Sequence, residues 1–144
     1  MRISARGEYA IKAVLDLALH RERDLVPIQE VAARQRIPQR YLEQVLLSLK
    51  RMGLLTSKRG SAGGYHLVRS PEDITVGEVL RAVEGNGSAF GASGTGRDGV
   101  DPDLAKLWED VAEAVSGVVD RLTFDELAAR ARERRSGARA MYHI

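Results

Sequence analysis

No cysteine occurs among the 144 residues. Its absence excludes a disulfide framework, a cysteine nucleophile, thiolate zinc sites and the usual ligation of iron–sulfur clusters. Histidine is scarce as well. His20, His66 and His143 lie far apart in the chain and make no metal-ligand spacing. No run approaches the roughly 20 apolar residues that span a bilayer. The opening Met-Arg-Ile-Ser-Ala-Arg-Gly has no apolar signal-peptide centre. A soluble, intracellular chain is therefore expected, with one domain and an appended element. No nucleophile–base motif or cofactor fingerprint appears, so the chain does not read as an enzyme and implies no cofactor.

What is present is an uneven charge distribution. The formal net charge is only +2. Residues 34–69, however, hold eight bases (Arg34, Arg36, Arg40, Lys50, Arg51, Lys58, Arg59, Arg69) against the single acid Glu43. Residues 86–144 are net acidic, with eight bases and ten acids. A net +7 stretch is the footprint expected for a polyanion, although a solvated basic face has the same composition.

The hydrophobic spacing predicts mainly helix with one small hairpin. Ile11, Val14, Leu15, Ala18 and Leu19 mark a helix over 5–20, with Ser4 as its cap. Pro27 precedes a short helix with Ile28, Val31 and Ala32 facing inward. After a break at 35–37, Pro38 suits the first turn of a helix running to Met52. Its apolar stripe is Tyr41, Leu42, Val45, Leu46 and Leu49, and Gly53 closes it. Two β-prone runs, 54–58 and 65–68, flank a Gly-rich turn. Thr75 and Glu78 form a capping box for a helix that ends at Gly85. Residues 86–101 read as a flexible Gly-rich loop. A long helix then starts at Asp101-Pro102, striped by Leu104, Leu107, Trp108, Val111, Val115, Val118, Val119 and Leu122. Thr123 and Glu126 cap a shorter helix, followed by a basic, Gly-interrupted tail over 135–144.

Two helices joined by a tight turn and followed by a hairpin make a winged helix-turn-helix, whose second helix enters the major groove of double-stranded DNA. Gln39, Arg40, Glu43 and Gln44 are its candidate base readers. Arginine can fork onto guanine, glutamine onto adenine, and glutamate can accept from a cytosine amino group. Glu43 could instead pair with Arg40 or Lys50. At the hairpin tip Arg59, beside Lys58 and Gly60, is shaped to enter a narrow minor groove. Ser57, Ser61 and the glycine amides suit phosphate contacts, and an ordinary polar hairpin is the alternative.

The segments 1–4 with Arg6-Gly7-Glu8-Tyr9-Ala10, Arg40-Tyr41-Leu42-Glu43-Gln44, Arg51-Met52-Gly53-Leu54, the wing 57–65 and 74–85 together resemble the Rrf2 family of bacterial winged-helix regulators. That family includes IscR, NsrR and CymR, and the cysteine-free composition suggests the CymR type. The resemblance covers 1–85 strongly and 102–127 more weakly. It implies a DNA-binding domain at 1–85 and dimerisation helices at 102–134. It also implies a homodimer on a palindromic operator, a repressor role and a bacterial cytoplasmic location. It carries base reading onto Glu43 and Gln44 and wing contact onto Arg59. Arg2, Ser4, Tyr41 and Lys50 are expected at the DNA with them. Pro38 departs from the serine cap frequent in relatives.

Cluster-bearing relatives carry three cysteines in the loop after the Glu-Gly pair, and this loop has none. Iron–sulfur sensing is not expected. CymR-type relatives regulate sulfur and cysteine metabolism, and this chain closes on Met141-Tyr142-His143-Ile144. That tail is a candidate handle for O-acetylserine sulfhydrylase (cysteine synthase), unless it packs on its own helix. A small-molecule effector between the long helix and the winged domain is the competing reading, with a signal unrelated to sulfur.

Overall fold

A computed structural model describes residues 3–85 and 101–142. Its order is α1 (Ala5–Leu19), α2 (Ile28–Gln35), α3 (Gln39–Arg51), β1 (Leu55–Lys58), β2 (Gly64–Leu67), a 3₁₀ turn at Pro71–Asp73, α4 (Val76–Glu84), α5 (Pro102–Val119) and α6 (Phe124–Tyr142). The expected class, helical with a hairpin wing, is what forms. The expected caps form as well. Ser4 Oγ accepts the Gly7 amide at 3.1 Å, and Thr75 and Glu78 complete a reciprocal capping box. At the end of α3, Gly53 takes φ +80°. The Gly53 amide donates to Lys50 O at 3.0 Å and the Leu54 amide to Leu49 O at 3.1 Å. These are the paired bonds of a Schellman close, which turns the chain sharply from α3 into the wing.

The core is one cluster. Ala10, Ala13, Val14 and Leu17 of α1 meet Leu42, Val45, Leu46 and Leu49 of α3, with Val31, Ile74, Val79 and Leu80 around them. Tyr41 does not belong to the apolar stripe of α3 as its spacing suggested. It is 56% exposed. The four residues at 42, 45, 46 and 49 already fill the buried arc, which leaves Tyr41 on its edge. The strands sit one residue from their expected limits and pair antiparallel, Leu55 with Leu67 through Lys58 with Gly64. A bridge adds Val26, whose amide donates to Tyr65 O while the Tyr65 amide donates to Val26 O, both at 2.9 Å. A Cβ on Gly64 would fall 2.5 Å from Val26 O. Glycine there lets the wing lie against the segment that enters α2.

Beneath α2 sits one buried acid. Asp16 is 1% exposed. Arg34 grips it in a fork, Nε to Oδ1 at 3.0 Å and Nη2 to Oδ2 at 2.9 Å, and Gln35 Nε2 donates to Oδ1 at 2.9 Å. Arg34 also pairs with Glu30 at 3.1 Å, and Glu30 with Arg23. Those two guanidiniums hold the Glu30 carboxyl down at about 2. The network staples α1 to α2, which sets the frame for the turn into α3.

The C-terminal helices differ from expectation in one respect. Helix α6 is not a short companion of α5. It runs 19 residues, past Gly137, because its Ala, Arg and Glu residues are strong helix formers. Its first turns belong to the winged domain. Phe124 is fully buried there and Ala128 nearly so. The Phe124 amide donates to Ile74 O at 3.0 Å, and the Val76 amide to Leu122 O at 2.9 Å. Helix α5, in contrast, contains no buried residue. No helix among the described residues is long and apolar enough to cross a membrane.

Candidate nucleic-acid interface

The outward side of α3 is the surface left after its apolar stripe is buried. Gln39, Arg40, Glu43, Gln44, Leu47, Lys50 and Arg51 are all exposed on it. The helix starts directly after Pro38, one position later than the sequence suggested. Pro38 supplies no side-chain cap, so the first amides of α3 are left to an outside acceptor. Glu43 makes no ion pair among the described residues, with Arg40 and Lys50 included. Its negative field and local burial both raise the Tyr65 hydroxyl's pKa, burial contributing more. The expected reading acid is thus available and stands near the wing.

The wing is tied to α3. Lys50 Nζ donates to Ser57 Oγ at 2.7 Å. A Cβ on Gly63 would fall 2.1 Å from Lys58 O, so the tip turns back at a distance only glycine permits. That turn leaves Lys58, Arg59 and Gly60 exposed at the end of the hairpin. Between the wing, α3 and the start of α2 lies a cleft of about 370 Å³. Lys50, Lys58, Arg59, Gln29 and Leu47 all line it. On the other flank of α3, a cleft of about 500 Å³ is lined by Ala5, Arg6, Tyr9, Tyr41, Gln44 and Val45. Arg6 Nη2 donates to Ser48 Oγ at 2.7 Å and so braces α3 from α1.

The basic stretch needs one correction. Arg34 and Arg69 face inward partners, Arg34 on Asp16 and Glu30, Arg69 on Glu78. Six cations remain exposed and without a salt bridge among the described residues: Arg36, Arg40, Lys50, Arg51, Lys58 and Arg59. Arg36 is held in the left-handed region at φ 54°, the turn between α2 and α3. Ser4, expected at phosphate, is already engaged. Its hydroxyl caps α1 and donates to Glu84. Arg2, His143 and Ile144 lie outside the described residues, as does the Gly-rich loop up to residue 100. Met141 and Tyr142 form the last turn of α6. Gln29, Arg6 and Leu47 escaped the sequence reading. The first two sit on helices outside the α3 motif. Leu47 was hidden by the adjacent Leu46.

The stripe of α5 divides in two. Leu104, Leu107, Trp108 and Val118 are exposed large apolar residues, Leu107 at 49% and Val118 at 60%. Val111 and Val115 are half-buried. Val119 and Leu122 pack on the winged core instead and anchor the end of α5. Arg81 forks onto Asp120 at 2.5 and 2.9 Å, which fixes that anchor and lowers the pKa of the Asp120 carboxyl.

The profile of the Rrf2 family, "Iron-dependent Transcriptional regulator", matches residues 3–130. The chain belongs to the Rrf2 family. It is similar to the HTH-type transcriptional regulator IscR of Serratia proteamaculans, 40% identical over 129 residues, which are 88% of this chain and 79% of that protein. The IscR of Photobacterium profundum is 38% identical over 88% of this chain and 75% of its own. Among solved structures, T. potens IscR superposes with a TM-score of 0.77 at 32% identity, covering 93% of this chain and 90% of that one. B. subtilis CymR, titled the global cysteine regulator, superposes at 0.76 with 30% identity, covering 90% and 98%. The Rrf2 chain described here is accordingly a DNA-binding winged-helix transcriptional regulator, and its family members are regulators rather than enzymes. The family description speaks of iron. The donors here do not fit a thiolate-ligated cluster, since the chain has no cysteine and residues 86–100 have no histidine. Among the described residues, no three His, Asp or Glu converge as a metal site.

Proposed function

We propose that this Rrf2 protein is a homodimeric repressor that reads a palindromic operator in the cytoplasm without an iron–sulfur cluster. The observation that carries the reading is the joint surface of the α2–α3 turn, α3 and the wing, where six cations and the acid Glu43 make no salt bridge among the described residues. Phosphates are held by the cations, which position the helix but carry no sequence information. Glu43 is repelled by phosphate and favoured only where it meets a donor, and of the two amino donors in the major groove, those of adenine and cytosine, only cytosine's has no acceptor nitrogen beside it on the same base edge. Gln39, Arg40 and Gln44 flank it on the same exposed side. Arg59 extends to the adjacent minor groove. The uncovered half of the α5 stripe supports pairing with a second copy. Two heads so joined place two reading helices on one palindrome, and occupancy of a promoter by such a dimer represses it.

Fluorescence anisotropy with duplex DNA tests the reading. Log affinity should fall with log salt at a slope of roughly −5 per head, the value for six neutralised phosphates. Arg59→Ala should weaken binding about tenfold or more. Glu43→Ala should relax base preference by about 1–3 kcal/mol at one position while leaving affinity for random DNA unchanged. An unchanged preferred sequence in Glu43→Ala refutes its role.

The likeness to CymR supports a role in cysteine or sulfur metabolism. On that reading residues 141–144 dock on O-acetylserine sulfhydrylase. Mixing the synthase with chains that have or lack 141–144 checks it: only the former should bind.

A further inference from the structure

The buried stripe of α3 is complete without Leu47. Leu42, Val45, Leu46 and Leu49 are all buried, whereas Leu47 is 45% exposed on the opposite side. It lies one helical turn after Glu43 and nearly one before Lys50. It also lines the cleft that holds Lys50, Lys58, Arg59 and Tyr65. A branched apolar side chain there is out of keeping with its neighbours. It adds little to the core, and a polar residue would be better solvated among cations. The occupant of this surface is DNA, on the charge argument above. Base edges in the major groove carry one apolar group, the C5 methyl of thymine. One turn of α-helix advances 5.4 Å, and bases stack at about 3.4 Å, so side chains one turn apart reach bases one or two steps apart.

We propose that Leu47 is a specificity residue that covers the methyl of a thymine one or two base pairs from the position Glu43 contacts. The inference rests on α3 being the reading helix and adds to it a hydrophobic contact. Each half-site then carries a pyrimidine pair, a cytosine met by a carboxylate and a thymine met by a leucine.

The full chain is first used to select duplexes from a random pool. Each thymine of the selected duplex is then replaced singly by deoxyuridine, which removes only the methyl. Binding is measured for wild type, Leu47→Ala and Leu47→Met. One thymine per half-site should show about a fourfold loss in wild type, the worth of one methyl-sized group taken from water. Leu47→Ala should be indifferent to that replacement, and Leu47→Met should keep part of the effect. Both variants should melt with wild type, because the side chain is outside the core. Equal deoxyuridine effects in wild type and Leu47→Ala at every position overturn the inference and leave α3 as the reading helix. Selection of no motif by wild type overturns the reading helix and the inference with it.

Discussion

The winged head and helix α5 are built on opposite rules. In the head, every large apolar side chain on the inner faces of α1, α3 and α4 finds cover, and its buried acid Asp16 is gripped by Arg34 and Gln35. Along 18 residues of α5, nothing is buried, and four large apolar side chains stand in solvent. Amphipathic stripes of that width persist on a surface when something covers them. The core of the head is covered by its own elements, whereas the exposed stripe of α5 is covered by nothing among the described residues, as the proposed pairing with a second copy requires. Stability and assembly should therefore respond to different residues.

The largest effect sharpens where the head ends. Phe124→Ala should cost the head roughly 3–5 kcal/mol in denaturant melts, although the residue lies beyond the Gly-rich segment in sequence. A loss near zero would return α6 to the dimerisation half. Next, Leu107→Glu with Val111→Glu should lower affinity for a two-site duplex about 100-fold or more by dissociating the dimer. The melt of the head should shift by less than about 1 kcal/mol. If the head unfolds with them, the division fails. Third, Arg34→Ala leaves the buried Asp16 with the Gln35 amide and with His20 Nδ1 at 3.8 Å, and should cost the head about 3 kcal/mol, while self-association is unchanged.

Acid should also separate the regions. The carboxyl of Glu30 sits at about 2 in the folded head, below its ordinary 4.5. The folded state thus binds fewer protons there than the unfolded chain. The contribution is complete above about pH 4.5 and is lost as pH falls toward 2. Glu30→Gln should flatten that limb of the stability curve. It should not change the self-association constant at neutral pH.

Much of this was legible in the chain. Periodicity places α1 to α4, because their stripes are buried in one core, and Ser4, Thr75 and Gly53 mark ends through local chemistry that neighbours do not override. Glu43 and Arg59 could be named as candidates from type and spacing, and both side chains are exposed. Burial partners could not. The fate of Arg34 depends on Asp16, 18 positions away, so a basic run looked larger than the surface it makes. Tyr41 was assigned to the buried stripe and Leu47 was passed over, yet both are exposed, because adjacent apolar residues fit one stripe in more than one phase. Phe124 follows a capping box and therefore looked like the start of an appended helix. Its amide bond to Ile74 is a tertiary fact.

Under the proposed function, one α5-joined pair of heads reads one operator. Sedimentation of the chain on a selected duplex, beside the Leu107→Glu, Val111→Glu variant, tests it directly. Wild type should place two chains on each duplex at limiting DNA, bound in a single step. The variant should bind independently and more weakly, one chain per half-site, with the same preferred half-site. A single wild-type chain per duplex, or a variant that still binds as a pair, would contradict it.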